Sequence, residues 1–262
     1  MYLTIIKNGQ IIDHRDVGVE CLSFEKDSVE HLNDYESLEG MHGLIPLTTK
    51  FGGRHLRAVF YVEKENHLEY ELVKNEIFRL FTTKTEMTII DSRQPDRQWN
   101  VKVSNTFSVN RVNQRSGQFV VDFLSSSAFA ESTNSTLNMV LAQISGSKEQ
   151  KYKHTTSAFE VLNDGDETIN PRHFPLVISF KGVSTNLEIK NLTTGDTWTC
   201  AGTTAVSDVV ELDGIRFTKN GLSIFRDTNR KLITLAPGWN LVQLAGASGS
   251  FEISFDFRFY TI

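Results

Sequence analysis

The last strand of this chain constrains the fold most. Phe251, Ile253, Phe255, Phe257 and Phe259 alternate with Glu252, Ser254, Asp256 and Arg258. A strict period of two over nine residues fits only a strand with one dry face and one wet face. The same pattern, interrupted by turn residues, recurs back to about residue 150. Phe159–Leu162 precedes Asn163-Asp164-Gly165-Asp166, and Leu176–Phe180 follows Pro171 and Pro175. Leu187–Lys190 and Thr197–Cys200 flank Thr194-Gly195-Asp196, and Ile215–Phe217 and Leu222–Ile224 flank Asn220-Gly221. Leu232–Leu235 leads through Pro237-Gly238 to Asn240–Leu244, and Gly246–Gly249 reads as a hairpin turn. Short strands at this spacing predict a sandwich or jelly roll.

The N-terminal half is also mostly strand. Leu3–Ile6 and Ile11–Ile12 flank Asn8-Gly9, a dipeptide that accepts positive φ in a type I′ turn. Further strands are predicted over Val17–Phe24, Arg54–Val62, Met87–Ile90 and Trp99–Val103, with a hairpin from Phe107–Val112 to Gln118–Leu124. One helix is predicted over residues 67–82. Leu68, Leu72, Ile77, Leu80 and Phe81 form its apolar stripe, able to pack on its own sheet or dock a partner, and Asn66 is its N-cap. The acidic stretch Glu25–Gly43 shows no clean period and reads as a long loop, of the kind that serves binding or assembly. The serine- and threonine-rich tract 125–136 marks the boundary between a domain spanning 1–136 and one spanning 137–262. Leu137–Ile144 is ambiguous between strand and short helix.

Composition excludes several classes. The net charge is −5, and no dense Lys/Arg cluster could track a phosphate backbone. No apolar run is long enough to cross a bilayer, and no charged leader precedes an apolar core at the N-terminus. Cys21 and Cys200 are too few for a disulfide framework and read as reduced thiols.

The search for chemistry yields no catalytic set, no metal ligands and no cofactor motif. None of the seven histidines lies in a metal-binding spacing. His14, between Asp13 and Asp16, forms the most suggestive cluster and reads as turn chemistry before a strand. A nucleophile elbow and a phosphate-binding loop are absent from the sequence. A glycosidase would need only two carboxylates, which sequence cannot pair. Trp198 and Trp239 are candidate sugar-stacking rings and equally candidate core-capping tryptophans. A carbohydrate-binding module for host-wall attachment is therefore the alternative to a structural protein.

Arg57–Val62, Leu68–Leu72, Ile77–Phe81 and Trp99–Val103, followed by Asn170-Pro171, Leu187–Asn191, Leu235–Asn240 and Ile253–Tyr260, resemble the siphovirus distal tail proteins in order and spacing. The Leu-Ala-Pro-Gly-Trp-Asn turn at 235–240 and the closing Phe-rich strand are the most specific parts. The resemblance implies a mostly β chain. Its N-terminal β-sandwich or split-barrel-like domain carries one helix, and its C-terminal domain is a galectin-like β-sandwich. It also implies a non-enzymatic homo-hexameric ring at the distal end of a phage tail, made in the host bacterial cytoplasm. Partners would be the major tail protein, a tail-associated protein and a receptor-binding protein, with no membrane and no sequence-specific nucleic acid. Asp27, Glu30, Asp34, Glu36 and Glu39 would then belong to a loop at the ring interface or channel.

Overall fold

In the computed structural model, residues 1–139 and 152–262 are described. The chain divides into two compact units, Met1–Thr133 with Ile262, and Asn134–Thr261. Of the ambiguous stretch, Leu137 and Asn138 lie in a turn, and 140–144 fall outside the described residues.

The first unit contains β1 (Leu3–Lys7), β2 (Gln10–Asp13), β3 (Val19–Lys26), β4 (His31–Glu36), β5 (Ile45–Phe51) and β6 (Arg54–Glu63). Helix α1 (His67–Phe81) follows, then β7 (Met87–Asp91), β8 (Arg97–Val103), β9 (Asn110–Arg111), β10 (Ser116–Ser125) and β11 (Ala130–Ser132). Its main sheet runs β2-β1-β7-β8-β10-β6-β3, all antiparallel. The β1–β2 hairpin turns at Asn8 and Gly9, with φ of 52° and 76°, as the dipeptide predicts. In β6, Leu56, Ala58, Phe60 and Val62 point inward. The core is aromatic: Phe60 lies 5.1 Å from Phe119 and 5.3 Å from Phe81 between ring centroids. Phe81 thereby fixes the C-terminal end of α1 on the sheet.

A sheet this long must curl or leave both edges open. Here β3 is tied to β1, the strand next to the opposite end of the path. His14, in a short 3₁₀ turn (His14–Val17), is fully buried. Its Nε2 accepts from the Leu3 amide at 3.1 Å, while Nδ1 lies 2.6 Å from the Val19 carbonyl. One imidazole thus joins β1 to β3. Because Nε2 must accept, Nδ1 carries the proton, which defines the tautomer. Arg93 adds a second tie, donating to the Phe24 carbonyl and to both Asp91 oxygens. The turn expected around His14 is present, and the strand expected from Val17 starts at Val19 because this 3₁₀ turn occupies the preceding residues.

Helix α1 is capped as predicted. Asn66 Oδ1 accepts from the Glu69 amide, and its Nδ2 donates to Glu69 Oε1. At the other end, Lys7 Nζ donates to the carbonyls of Arg79, Leu80 and Thr82, placing a cation on the negative end of the helix. The predicted stripe is corrected in part. Tyr70, Ile77, Leu80 and Phe81 are buried, but Leu68 and Leu72 stand exposed. With about 3.6 residues per turn, Leu68 and Leu72 fall on the opposite side of the helix from Tyr70, Ile77 and Phe81, so they face away from the sheet.

The second unit contains β12 (Lys153–His154), β13 (Ala158–Asn163), β14 (Leu176–Asn191), β15 (Thr197–Thr204), β16 (Val209–Asp213), β17 (Arg216–Lys219), β18 (Leu222–Ser223) and β19 (Gly238–Phe257). Two expectations change here. Leu176–Phe180 and Leu187–Lys190 belong to one 16-residue strand, β14. Asn240–Leu244 and the Phe-rich segment belong to β19, and Gly246–Gly249 is a bulged stretch of that strand rather than a turn. Each long strand changes neighbours along its length. β14 pairs β16 over 177–181 and β15 over 184–190, while β19 pairs β13 near its start and β12 near its end. Bulges at the crossover let each strand serve both layers of a sandwich. Gly246 is required there: a Cβ would lie 2.4 Å from the Thr185 carbonyl oxygen. Leu232–Leu235 is not a strand. Ile233 and Leu235 are buried, and Leu235 makes a single bridge to Ile169.

The Pro237-Gly238 turn is held from below. Asn240 Oδ1 accepts from the Ala236 amide, and its Nδ2 donates to the Ala236 and Gly238 carbonyls. Asn191 Nδ2 donates to Asn240 Oδ1 and to the Thr234 carbonyl. Both amides are fully buried, so neither can be replaced by water without reorganisation.

Two outcomes follow. His14→Ala should destabilise the first unit by about 4 kcal/mol, from a cavity plus two orphaned backbone groups, read as a lowered midpoint in chemical denaturation. Asn240→Ala should cost the second unit about 3 kcal/mol by leaving buried backbone groups unpaired, while the first unit's transition stays where it is.

Candidate assembly surface

The stretch expected to be a loop holds the least self-satisfied part of the chain. β3 continues to Lys26, and after a short link β4 and β5 form a separate two-stranded sheet. The register pairs His31 with Phe51, Asn33 with Thr49 and Asp34 with Thr48, then shifts so that Tyr35 faces Pro46 and Glu36 faces Ile45. Leu47 is the extra residue of the bulge. The sequence does not announce β4, because His-Leu-Asn-Asp-Tyr-Glu lacks β-branched residues. Pairing with Ile45–Phe51 makes it a strand.

Every residue of β4 is exposed, as are six of the seven in β5. Leu32, Tyr35, Leu38, Met41, Leu44, Leu47 and Phe51 are each about half exposed. At the arm's base the Gly52 amide donates to the Glu30 carbonyl and closes the hairpin, Val29 is buried, and Phe51 meets Phe129 edge-on at 6.1 Å.

The five acids singled out from the sequence do not form one site. Asp27 lies in the link, its carbonyl accepting from Arg54 Nε. Glu30 is at the arm's root, Asp34 and Glu36 share one face of β4, and Glu39 is in the tip. All five are exposed. Asp27 shares an open polar depression with Glu25, His55, Arg57 and Asp122, where Arg57 is ion-paired to Asp122 at 2.7 Å.

The tryptophans separate. Trp198 is corrected as a sugar-facing ring: it is fully buried and packs edge-on against Phe217 at 5.7 Å, so it has no free face. Its alternating position in β15 points it into the sandwich. Trp239 is 37% exposed at the start of β19.

Among the described residues, no three His, Cys, Asp or Glu side chains converge as metal ligands, and no helix is long and apolar enough to cross a membrane. Burial pushes the Cys21 thiol up to about 11 and also raises Cys200, so neither is a thiolate at neutral pH. Burial pushes the Asp91 carboxyl up, but hydrogen bonds from Arg93 and the charges of Arg93 and Lys26 outweigh it, leaving the group below its ordinary value.

Residues 12–125 match the family model of the phage tail protein RIFT-related domain. Over 98% of its length the chain has the fold of the SPP1 Dit protein (gp 19.1), described as a paradigm of the hub adsorption apparatus in phages infecting Gram-positive bacteria. The match covers 99% of that protein at a TM-score of 0.72 and 15% identity. The resemblance to siphovirus distal tail proteins is thus borne out at the level of domain family and fold. Chains of the phage P2 baseplate in its activated conformation, with Ca and with Sr, align at TM-scores of 0.47 with 11% and 9% identity. Each alignment covers 98% of this chain and 97% of theirs. Among curated proteins none matches the sequence.

The depressed Asp91 value carries a sign. Its stabilisation is full above the unfolded carboxyl value of about 3.9 and is lost as pH falls through the lower folded value. Asp91→Asn should therefore flatten the acid limb of the stability curve below about pH 4, measured by denaturant midpoint against pH. A thiol reagent at pH 7 should label Cys21 only as fast as the first unit opens; rapid stoichiometric labelling of the native chain would contradict its burial.

Proposed function

We propose that this chain is the hub of a siphovirus tail tip, six copies closing a ring that joins the tail tube to the tail-associated and receptor-binding apparatus. The observation that carries the proposal is the extent of the fold likeness. It runs through both units, over 98% of this chain and 99% of a hub protein. The domain family of residues 12–125 supports the same role. In this proposal the first unit, residues 1–136 as read from the sequence, forms the ring, and the second, 137–262, is a galectin-like sandwich on its outside. The major tail protein would lie above the ring and the tail-associated protein below it.

A closed ring needs two unlike, complementary surfaces on each copy. The exposed arm of the first unit supplies an apolar candidate for one of them. Burial of Trp198 removes half of the aromatic pair on which sugar binding rested, leaving Trp239 alone.

The test is absolute mass by light scattering on a sizing column over a range of concentrations. The expected species is six times 29.6 kDa, about 178 kDa. A discrete assembly of another stoichiometry would refute the hexamer.

A further inference from the structure

We infer that Asn8 is a site of spontaneous deamidation in the folded protein, which converts the turn of the β1–β2 hairpin to aspartate and isoaspartate, and that Asn220, in a matching turn, is protected by its side-chain hydrogen bonds.

The chain holds two Asn-Gly pairs, Asn8-Gly9 and Asn220-Gly221. Glycine favours the reaction because no Cβ hinders its amide. The glycine nitrogen attacks Cγ of the asparagine side chain. The new C–N bond closes a succinimide ring, and the side-chain amide nitrogen leaves as ammonia. Water then adds to either ring carbonyl. Opening at one gives aspartate; opening at the other gives isoaspartate, whose main chain runs through the former side chain. Water is the only co-reactant.

The two turns share a backbone. Asn8 and Gly9 have φ of 52° and 76°, and Asn220 and Gly221 have φ of 51° and 78°. Each pair is the loop of a tight hairpin, with Lys7 facing Gln10 and Lys219 facing Leu222. All four residues are exposed, and a Cβ at either glycine would meet nothing within 4 Å. Backbone shape and access to water therefore do not separate them.

The side chains do. Asn220 is clamped at both ends: Oδ1 accepts from the Val209 amide at 2.9 Å, and Nδ2 donates to the Asp208 carboxylate at 2.9 Å. That carboxylate is itself held by the Ala205 amide and Lys219. Cγ of Asn220 cannot swing onto the Gly221 nitrogen until both bonds break. Asn8 has a looser hold. Its Oδ1 accepts from the exposed Thr85 hydroxyl at 3.1 Å, and Nδ2 has no partner among the described residues.

The product is badly placed. Isoaspartate adds a main-chain carbon to a two-residue loop, which disturbs the register of Lys7 with Gln10. The new carboxylate also lies beside Lys7, whose ammonium serves the last carbonyls of α1, where negative charge is unfavourable. In the tail-tip role proposed above a subunit is not replaced after assembly, so the change accumulates; this last consequence alone rests on that role.

The experiment incubates the full chain at mildly alkaline pH, folded and in denaturant, and follows the peptides holding Asn8 and Asn220 by mass and retention. In the folded chain Asn8 should convert about tenfold faster than Asn220, the factor that an added hydrogen bond to a charged group supplies. In denaturant the two should convert alike. Asp208→Ala should raise the Asn220 rate in the folded chain towards that of Asn8. The first unit's denaturation midpoint should drift down as Asn8 converts and stay fixed in Asn8→Gly, which accepts the positive φ and cannot react. The inference is overturned if Asn220 converts as fast as Asn8 in the folded chain, if the gap is equally large in denaturant, or if Asn8 survives in the folded chain while the denatured chain loses both. An Asn220 that stays inert in folded Asp208→Ala, or a midpoint that drifts in Asn8→Gly, also overturns it.

Discussion

The first unit depends on a single neutral imidazole. Its seven-strand path runs from β2 to β3, and His14 accepts from β1, next to one end, and donates to β3 at the other, so the sheet curls round its core. Neither lysine nor arginine can replace it, because each only donates. Closure creates the enclosed interior into which Phe60, Phe81, Phe119 and Phe123 pack, and that packing in turn seats the C-terminal half of α1. Arg93 repeats the device with a charge, spanning the Phe24 carbonyl and the buried Asp91 carboxylate.

The second unit solves the edge problem differently. Two long strands are shared between layers, and bulges rather than side-chain ties make the corners. Among the described residues its buried polar side chains are amides and hydroxyls, not charges: Thr136, Asn163, Ser184, Asn191, Thr228 and Asn240. Asn163, Asn191 and Asn240 hold loop backbones at no cost in buried charge. This gives the Pro-Gly-Trp-Asn motif a physical meaning: Pro237 and Gly238 shape the turn, Asn240 pins it, and Trp239 is the residue left facing outward.

Against these well-closed bodies the arm is the exception. Elsewhere, the large apolar side chains left exposed are scattered singly or in pairs, as on any soluble surface. Seven of them crowd together on the arm and its tip. Both thiols are protonated at neutral pH, and the candidate sugar-stacking Trp198 is core.

The sequence by itself determined the strands with period two, the Asn-Gly turns, the cap and span of α1, and the overall layout of a tail protein. These are local signals: alternation, positive φ and an N-cap are properties of adjacent residues. Tertiary structure decided what depends on distant partners. β4 is a strand only because Ile45–Phe51 lies beside it, and the segments around 176–191 and 238–257 are single strands because bulges carry them across a corner. Leu68 and Leu72 are apolar, but the helical turn carries them to the face opposite Tyr70 and Ile77, away from the sheet. Whether His14 is a turn residue or the tie that joins β1 to β3 cannot be read from its neighbours, because the two groups that define its role, the Leu3 amide and the Val19 carbonyl, become adjacent only when the sheet curls.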